Sequence, residues 1–92
     1  MGICAQRTVI ITGSGSGLGK AYALAFAAEG ANVVVNDIRV ESAEAVRDEI
    51  IAAGGNAIAT CVDITRMDTA QKIVDAAIAA YGEVHALVNN AG

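Results

Sequence analysis

The chain has 92 residues, enough for one small domain, and a chain of this length buries only about 60–65% of the surface that its unfolded form exposes. Of its residues 54% are hydrophobic but only 3% are aromatic, so alanine, valine and isoleucine must build the core. A net charge of -4 argues against a nucleic-acid partner or an anionic membrane surface, because both require a basic patch.

No apolar run approaches the roughly 20 residues of a membrane span, and no secretory signal opens the chain. Cys4 and Cys61 lie in neither a Cys-x-x-Cys nor a zinc-binding spacing, so they are interpreted as buried or idle thiols and no metal site is predicted. These features predict a reducing, cytoplasmic location. The sequence shows no linker, repeat or low-complexity tract, which predicts a single domain over 1–92.

The first half of the chain predicts a strand, a helix and a second strand. The first strand covers 6–12 and is apolar on both faces, as strands of a helix-covered parallel sheet are. A helix over about 17–29 follows and ends at Gly30, a residue typical of helix C-termini. The second strand, 31–36, ends at Asp37. One face of the helix is marked by Leu18, Ala21, Tyr22, Ala25 and Ala28.

The second half predicts the same alternation. A helix over about 40–53 precedes a strand over 57–62, which alternates less cleanly. A third helix opens at Thr65 and ends at Gly82, and a fourth strand covers 85–88. Apolar residues at helical spacing define one face of each helix: Ala43, Val46, Ile50 and Ala53 in the first, and Ala70, Ile73, Val74, Ala77, Ile78 and Tyr81 in the second.

Strands that alternate with helices imply parallel pairing through right-handed crossovers. The predicted fold is therefore α/β, a Rossmann-like doubly wound parallel sheet that stops after its fourth strand, in the order 3-2-1-4. The fourth strand then forms an edge with its apolar 86–88 uncovered, and such an edge favours self-association. We expect dimers or larger species.

A glycine-rich turn, Thr-Gly-Ser-Gly-Ser-Gly-Leu-Gly at 12–19, joins the first strand to the first helix. Glycines allow a tight turn and a close ligand approach, and the helix that follows presents unpaired N–H groups and a partial positive charge. A turn of this kind between a strand and a helix predicts a site for a pyrophosphate.

The spacing of the glycines selects among the known phosphate motifs. The Gly-x-Gly-x-x-Gly fingerprint fails because its third glycine would fall on Leu18 or Lys20, and a Walker A loop fails because Ala21 follows Gly-Lys. Ser14 and Ser16 are interpreted as hydroxyls of the phosphate turn rather than nucleophiles, because the chain's one histidine, His85, precedes an apolar strand. The pattern Thr-Gly-x-x-x-Gly-x-Gly fits, at Thr12, Gly13, Gly17 and Gly19.

Asp37 lies eighteen residues beyond Gly19, at the carboxyl end of the second strand. In a doubly wound sheet this position places a carboxylate beside the adenosine ribose, where it accepts hydrogen bonds from the hydroxyls. Such a charge-assisted contact contributes about 1.5–3 kcal/mol, and the same charge repels a 2′-phosphate, so NAD is favoured over NADP. Arg39 leaves NADP open, since a nearby arginine can neutralise that phosphate. The alternative for Asp37 is a solvated acid at the end of a strand.

The glycine pattern, Asp37, Asp63 and the segment Asn-Asn-Ala-Gly at 89–92 together resemble the short-chain dehydrogenase/reductase family. The resemblance implies that Asp63 holds the adenine amino group with support from Ile64, and that Asn90 and Ala91 contact the cofactor ribose and stabilise the sheet. An ordinary turn acid is the alternative for Asp63. The cofactor-binding residues that we expect are Gly13, Ser16, Gly17, Leu18, Gly19, Asp37, Ile38, Asp63, Ile64, Asn90 and Ala91.

The resemblance covers the chain but only the first half of such an enzyme. The family's serine and its Tyr-x-x-x-Lys pair have no counterpart here, because Tyr81 is followed four residues later by His85 and is interpreted as a core residue. The resemblance therefore implies the NAD-binding half of an oxidoreductase that transfers hydride between NAD(H) and a secondary alcohol or ketone. We expect the chain to bind NAD weakly, to turn nothing over, and to self-associate or pair with a C-terminal half.

One alternative of a different class stays open at this point. A free-standing nucleotide-binding or interaction module would carry the same site without any chemistry. Within the family, 17–26 and 35–37 look most like the hydroxyacyl-CoA dehydrogenase branch and the related oxoacyl reductases.

Overall fold

The computed structural model describes residues 7–15, 17–62 and 67–88. Strands and helices alternate through the described chain, as the sequence predicts. Each helix ends one or two residues before the glycine expected to stop it. The elements are β1 (Thr8–Thr12), α1 (Gly17–Ala28), β2 (Asn32–Asn36), α2 (Val40–Ala52), β3 (Asn56–Thr60), α3 (Met67–Tyr81) and β4 (Ala86–Val88).

The four strands form one sheet in the order β3-β2-β1-β4, and every neighbouring pair is parallel. At the centre of the sheet, Ile10 of β1 lies level with Val34 of β2 and with Leu87 of β4. The predicted α/β fold and strand order are confirmed.

The third strand begins and ends earlier than the predicted 57–62. Its pairing with β2 runs from Asn56 to Thr60 and stops where β2 itself stops, at Asn36. Beyond that point the Asn36 side chain, not a strand backbone, bonds Val62. The boundary is therefore set by the length of the partner strand, which the composition of β3 does not reveal.

Helices cover both faces of the sheet, so the core has two layers. Val9, Ile11, Val33 and Val35 project from one face of the sheet and pack against α1 and α2. The residues between them, such as Ile10, project from the other face and pack against α3. Because a β-strand alternates its side chains, strands that are buried on both faces appear as continuous apolar runs.

The buried face of α1 differs from the face that the sequence suggested. The helix turns Gly19 and Ala23 into the core, four residues apart. Apart from Lys20, α1 is apolar nearly all round, so hydrophobic periodicity does not select a face, and the smallest side chains lie where the helix approaches the sheet. The five residues expected to mark one face are all exposed: Leu18, Ala21, Tyr22, Ala25 and Ala28.

The predicted faces of the other two helices agree better with the structure. In α2, three of the four residues are buried, and the fourth, Ala53, is exposed just after the helix ends. In α3, Ile73 and Ala77 are buried and Val74 and Tyr81 are half-buried, whereas Ile78 is exposed. Both helices carry charged residues on the opposite side, which makes the apolar stripe visible in the sequence.

β4 lies at the edge of the sheet and pairs with β1 within the described chain. Its Leu87 is 61% exposed. The uncovered strand matches the sequence expectation, whereas self-association stays a prediction. Within the part of the chain that the structure describes, no helix is both long and apolar enough to cross a membrane.

Candidate functional site

The carboxyl ends of β1, β2 and β3 lie level with one another at one edge of the sheet. Their last residues, Thr12, Asn36 and Thr60, are aligned across the ladder. The chain turns at 13–15 directly after β1 and enters α1 at Gly17. In doubly wound sheets, ligands bind in the crevice at this edge.

Two of the predicted site glycines have a backbone conformation that side chains disfavour. Gly13 has φ 60° and Gly17 has φ 59°, both in the left-handed region. A Cβ added at Gly17 would meet no atom within 4 Å, so this glycine borders open space. Gly19 is buried against the sheet in the first turn of α1. The glycines thus shape the turn and bring the helix N-terminus close to the sheet edge.

The N-terminus of α1 is suited to an anion. The first N–H groups of a helix lack intrahelical partners, and the helix dipole adds partial positive charge there. The first turn of α1 contains no acidic residue that would compete for these groups. These N–H groups therefore suit an anionic ligand.

Ser14 has a structural role that the sequence analysis did not anticipate. Its side chain is fully buried, and its hydroxyl donates to the Ile11 carbonyl at 2.7 Å and accepts from the Asn36 N–H at 3.0 Å. Its own N–H donates to the Asn36 carbonyl at 3.0 Å. The interpretation of Ser14 as a phosphate hydroxyl is therefore wrong. The hydroxyl instead ties the turn to the end of β2.

Asp37 is joined to the glycine turn by its side chain. Its Oδ2 accepts from the Gly15 N–H at 2.9 Å, and its Oδ1 accepts from the Arg39 N–H at 3.0 Å. Only 7% of the residue is exposed, so the alternative interpretation of Asp37 as a solvated acid at the end of a strand is wrong. A carboxylate has about four acceptor positions, and two backbone donors leave room for hydroxyl donors from a ligand.

Asn36 is a site residue that the sequence analysis missed. It is 2% exposed, and its Oδ1 accepts from the Thr60 hydroxyl at 2.8 Å and from the Val62 N–H at 3.0 Å. Its Nδ2 donates to the Val62 carbonyl at 3.1 Å. These bonds hold the chain immediately before the predicted adenine contact, Asp63. A polar side chain directly after three valines of the same strand was the available signal, because buried amides need partners.

Two predicted site residues present apolar surface beside these polar groups. Leu18, next to Gly17, is 59% exposed, and Ile38, next to Asp37, is 69% exposed. Cys61 is exposed as well, and its thiol donates to the Ile38 carbonyl at 3.1 Å. Exposed aliphatic side chains at this edge suit the flat faces of a nucleotide's rings.

The remaining predicted contacts cannot be placed. They lie outside the described residues and stay predictions: Ser16, Asp63, Ile64, Asn90 and Ala91.

His85 and Tyr81 lie away from this edge. His85 exchanges two bonds with Thr8 at the amino end of β1: its Nδ1 accepts from the Thr8 N–H and its N–H donates to the Thr8 carbonyl, each at 2.9 Å. Its Nε2 is 3.2 Å from a Glu83 carboxylate oxygen. Tyr81 packs against the core under α3, and burial raises the pKa of its hydroxyl. Tyr81 thus matches its interpretation as a core residue.

The geometry defines a class of protein. A parallel sheet in this order, with a glycine turn that leads into a helix N-terminus and a carboxylate at the end of the second strand, is the architecture of dinucleotide-binding α/β domains. The chain belongs to the short chain dehydrogenase family, because the model of that family matches residues 7–92.

Curated relatives and solved structures agree with this family. The 7alpha-hydroxysteroid dehydrogenase of Escherichia coli (strain K12) is 48% identical over 86 residues, which cover 94% of this chain and 34% of that protein. The peroxisomal hydratase-dehydrogenase-epimerase of Saccharomyces cerevisiae is 45% identical over 96 residues, which cover 95% of this chain and 10% of that protein.

A structure of 7 alpha-hydroxysteroid dehydrogenase complexed with NADH and 7-oxo glycochenodeoxycholic acid matches with a TM-score of 0.94 and 46% identity, over 97% of this chain and 35% of that one. The chain thus spans about a third or less of these relatives.

Proposed function

We propose that this chain is the NAD-binding portion of an oxidoreductase that transfers hydride between NAD(H) and a secondary alcohol or ketone. The observation that carries the proposal is the Asp37 carboxylate, held against the glycine turn by the Gly15 N–H at 2.9 Å. This contact joins the carboxylate that we assign to the ribose to the turn that we assign, with the N-terminus of α1, to the pyrophosphate. Family membership and the NADH-bound relative support the same function.

The described residues offer three kinds of contact to a dinucleotide: N–H donors for the pyrophosphate, a carboxylate for the ribose, and apolar side chains beside them. The turn at Gly13 and Gly17 and the N-terminus of α1 suit the pyrophosphate, and Asp37 suits the ribose hydroxyls. We place Leu18 and Ile38 beside them as apolar contacts. The bound cofactor would supply or accept the hydride. The chain's own residues bind and orient it.

NAD is the cofactor that we propose, rather than NADP. The 2′-phosphate of NADP would bring negative charge to the Asp37 carboxylate, which is already buried to 7% exposure and bonded on both oxygens. Like charges at short range in a poorly solvated site repel strongly. Arg39 is exposed and donates its backbone N–H to the same carboxylate, so its guanidinium is the group that could counter this preference.

We expect no turnover from this chain, because the Tyr-x-x-x-Lys pair implied by the family resemblance does not occur in it. The substrate class and the proposed hydroxyacyl-CoA or oxoacyl branch therefore concern the whole protein. A non-catalytic nucleotide-binding module stays the alternative. A cytoplasmic location also stays a prediction, and one relative is named as peroxisomal.

The test is to titrate NAD and NADP into the native chain and into Asp37→Asn and to measure binding by calorimetry. We expect the native chain to prefer NAD. The variant should bind NAD about tenfold or more weakly, because it loses a charge-assisted contact of about 1.5–3 kcal/mol, and it should bind NADP no worse. Glu44→Gln is the matched control, since it removes one negative charge from the exposed side of α2.

Equal binding of NAD and NADP by the native chain would contradict the assignment of NAD. Binding of neither dinucleotide would contradict the proposed function of this chain. Oxidation of any alcohol by the chain with NAD would contradict the expected inactivity.

A further inference from the structure

The backbone conformation at position 15 does not explain why the residue there is glycine. The left-handed glycines of the described chain are Gly13, Gly17, Gly30, Gly54 and Gly82, and Gly15 is not among them. Nor does the family pattern matched by the turn require glycine at this position. The space around Gly15 supplies the reason.

A Cβ at Gly15 would overlap two neighbours. It would lie 2.6 Å from Ser42 Cβ and 2.7 Å and 2.9 Å from Oδ2 and Cγ of Asp37. Such separations are well below normal contact distances of about 3.5–4.0 Å between carbon atoms. The same Cβ at Gly17 or Gly54 would meet nothing within 4 Å.

The two neighbours differ in how they could yield. Ser42 Cβ is attached to the backbone of α2, so it moves only with the helix. The Asp37 carboxylate ends a short side chain and can rotate, but rotation breaks its bond from the Gly15 N–H and its bond from the Arg39 N–H. A side chain at position 15 therefore displaces the carboxylate.

We infer that Gly15 is a positioning residue for Asp37 and, through it, a determinant of the preference for NAD over NADP. This inference rests on the proposed function. Gly15 does two things at once: its N–H anchors Oδ2, and its missing side chain leaves the volume that the carboxylate occupies. The two parts of the turn thus have different roles. Residues 13–15 bond the end of β2, and residues 17–19 form the proposed phosphate site.

The test compares Gly15→Ala with the double variant Gly15→Ala/Ser42→Gly. The double variant removes the Ser42 Cβ and with it the overlap with α2, so it keeps the fold accessible and leaves the Asp37 overlap as the remaining perturbation. Ser42→Gly alone is the matched control for α2. Gly54→Ala is the control for a strained glycine away from the site, since Gly54 has φ 92° and open surroundings.

Two readouts are needed. The first is the ratio of the NADP and NAD dissociation constants by calorimetry. The second is the exchange rate of the Arg39 amide proton by NMR, which reports whether the carboxylate still accepts from that N–H and needs no ligand. A merely structural glycine would lower the unfolding midpoint without moving either readout.

We expect the double variant to lose about tenfold or more of the NAD preference, the size of one charge-assisted hydrogen bond, and its Arg39 amide to exchange faster. Both controls should keep the native ratio and the native exchange rate. Retention of the ratio or of the protected Arg39 amide in the double variant would overturn the inference. If the native chain bound neither dinucleotide, the proposed function would fail, while amide exchange would still decide whether Gly15 positions Asp37.

Discussion

At the scale of single residues, the ends of the strands are held together by buried polar side chains that bond other groups of the protein. Ser14 and Asn36 are buried, and their side chains bond backbone groups of β1, β2 and the chain after β3. Asp37 bonds the turn and its own following residue. Three consecutive strand ends are thereby fixed relative to one another, which is what a ligand site at their edge requires.

Asn36 carries the largest share of these bonds, so its replacement should be costly. In Asn36→Ala, the amide and carbonyl of Val62 and the Thr60 hydroxyl lose their partner. We expect unfolding in urea to show a loss of about 2–3 kcal/mol, since partly buried polar groups left unpaired cost about 1–3 kcal/mol each and some regain water.

The matched control is Gln71→Ala, which removes an exposed amide bonded to Asp75 at 2.9 Å and should stay within about 0.5 kcal/mol of the native chain. Equal loss in the two variants would mean that the Asn36 bonds contribute no more than a surface contact.

Tyr81 gives a pH dependence whose sign follows from burial. Desolvation raises the pKa of Tyr81 above 10.0 in the folded chain. A raised folded pKa means that the folded state holds the proton more tightly, so this contribution to stability is fully present below about pH 10 and is lost as the pH rises through the folded pKa. Urea unfolding between pH 9 and 11 should show the decline.

Tyr81→Phe removes the titrating hydroxyl and should flatten that decline. Tyr22→Phe, on the exposed side of α1, is the control and should keep the native slope. The same slope in Tyr81→Phe as in the native chain would show that other groups cause the loss of stability.

At the scale of elements, the sequence predicts type and order well, and faces and boundaries less well. Every strand and helix was predictable because apolar runs alternate with glycine-terminated helical patterns. The buried face of α1 was not, because its composition is apolar on most sides and packing against the sheet selects Gly19 and Ala23. A boundary such as Thr60 depends on where the partner strand ends, which is a tertiary property.

The residues of the candidate site likewise differ in how well the sequence predicts them. The positions of Gly13 and Gly17 in the turn and of Asp37 at the end of β2 were predictable, because a turn and a strand end are local features of the sequence. The bond between Ser14 and Asn36 and the bonds of Asn36 to Val62 were not, because these partners lie 22 to 26 residues apart and are brought close only by strand pairing. Local sequence identifies the element that carries a residue, and packing decides where its side chain points.

At the scale of the whole molecule, each of the two outer strands of the sheet, β3 and β4, pairs with one strand only in the described chain. The two faces of β3 pack against α2 and α3, whereas β4, at the opposite edge, is a three-residue strand whose Leu87 is 61% exposed. An unpaired edge presents N–H and C=O groups that can pair with another chain. The relatives are three to ten times longer, so in them further chain is available to cover such an edge.

The uncovered edge leads to a last prediction. At roughly 50 μM, within the concentration range where exposed edges associate, the native chain should scatter light as dimers or larger species. Leu87→Lys should shift it toward the monomer, because a charged side chain on an edge strand cannot be buried against a second copy without a large desolvation cost. Ile51→Lys is the control: Ile51 is 52% exposed on α2, away from β4, and its replacement should leave the association unchanged. A clean monomer for the native chain, or equal effects of the two lysines, would show that β4 is not the surface through which the chain associates.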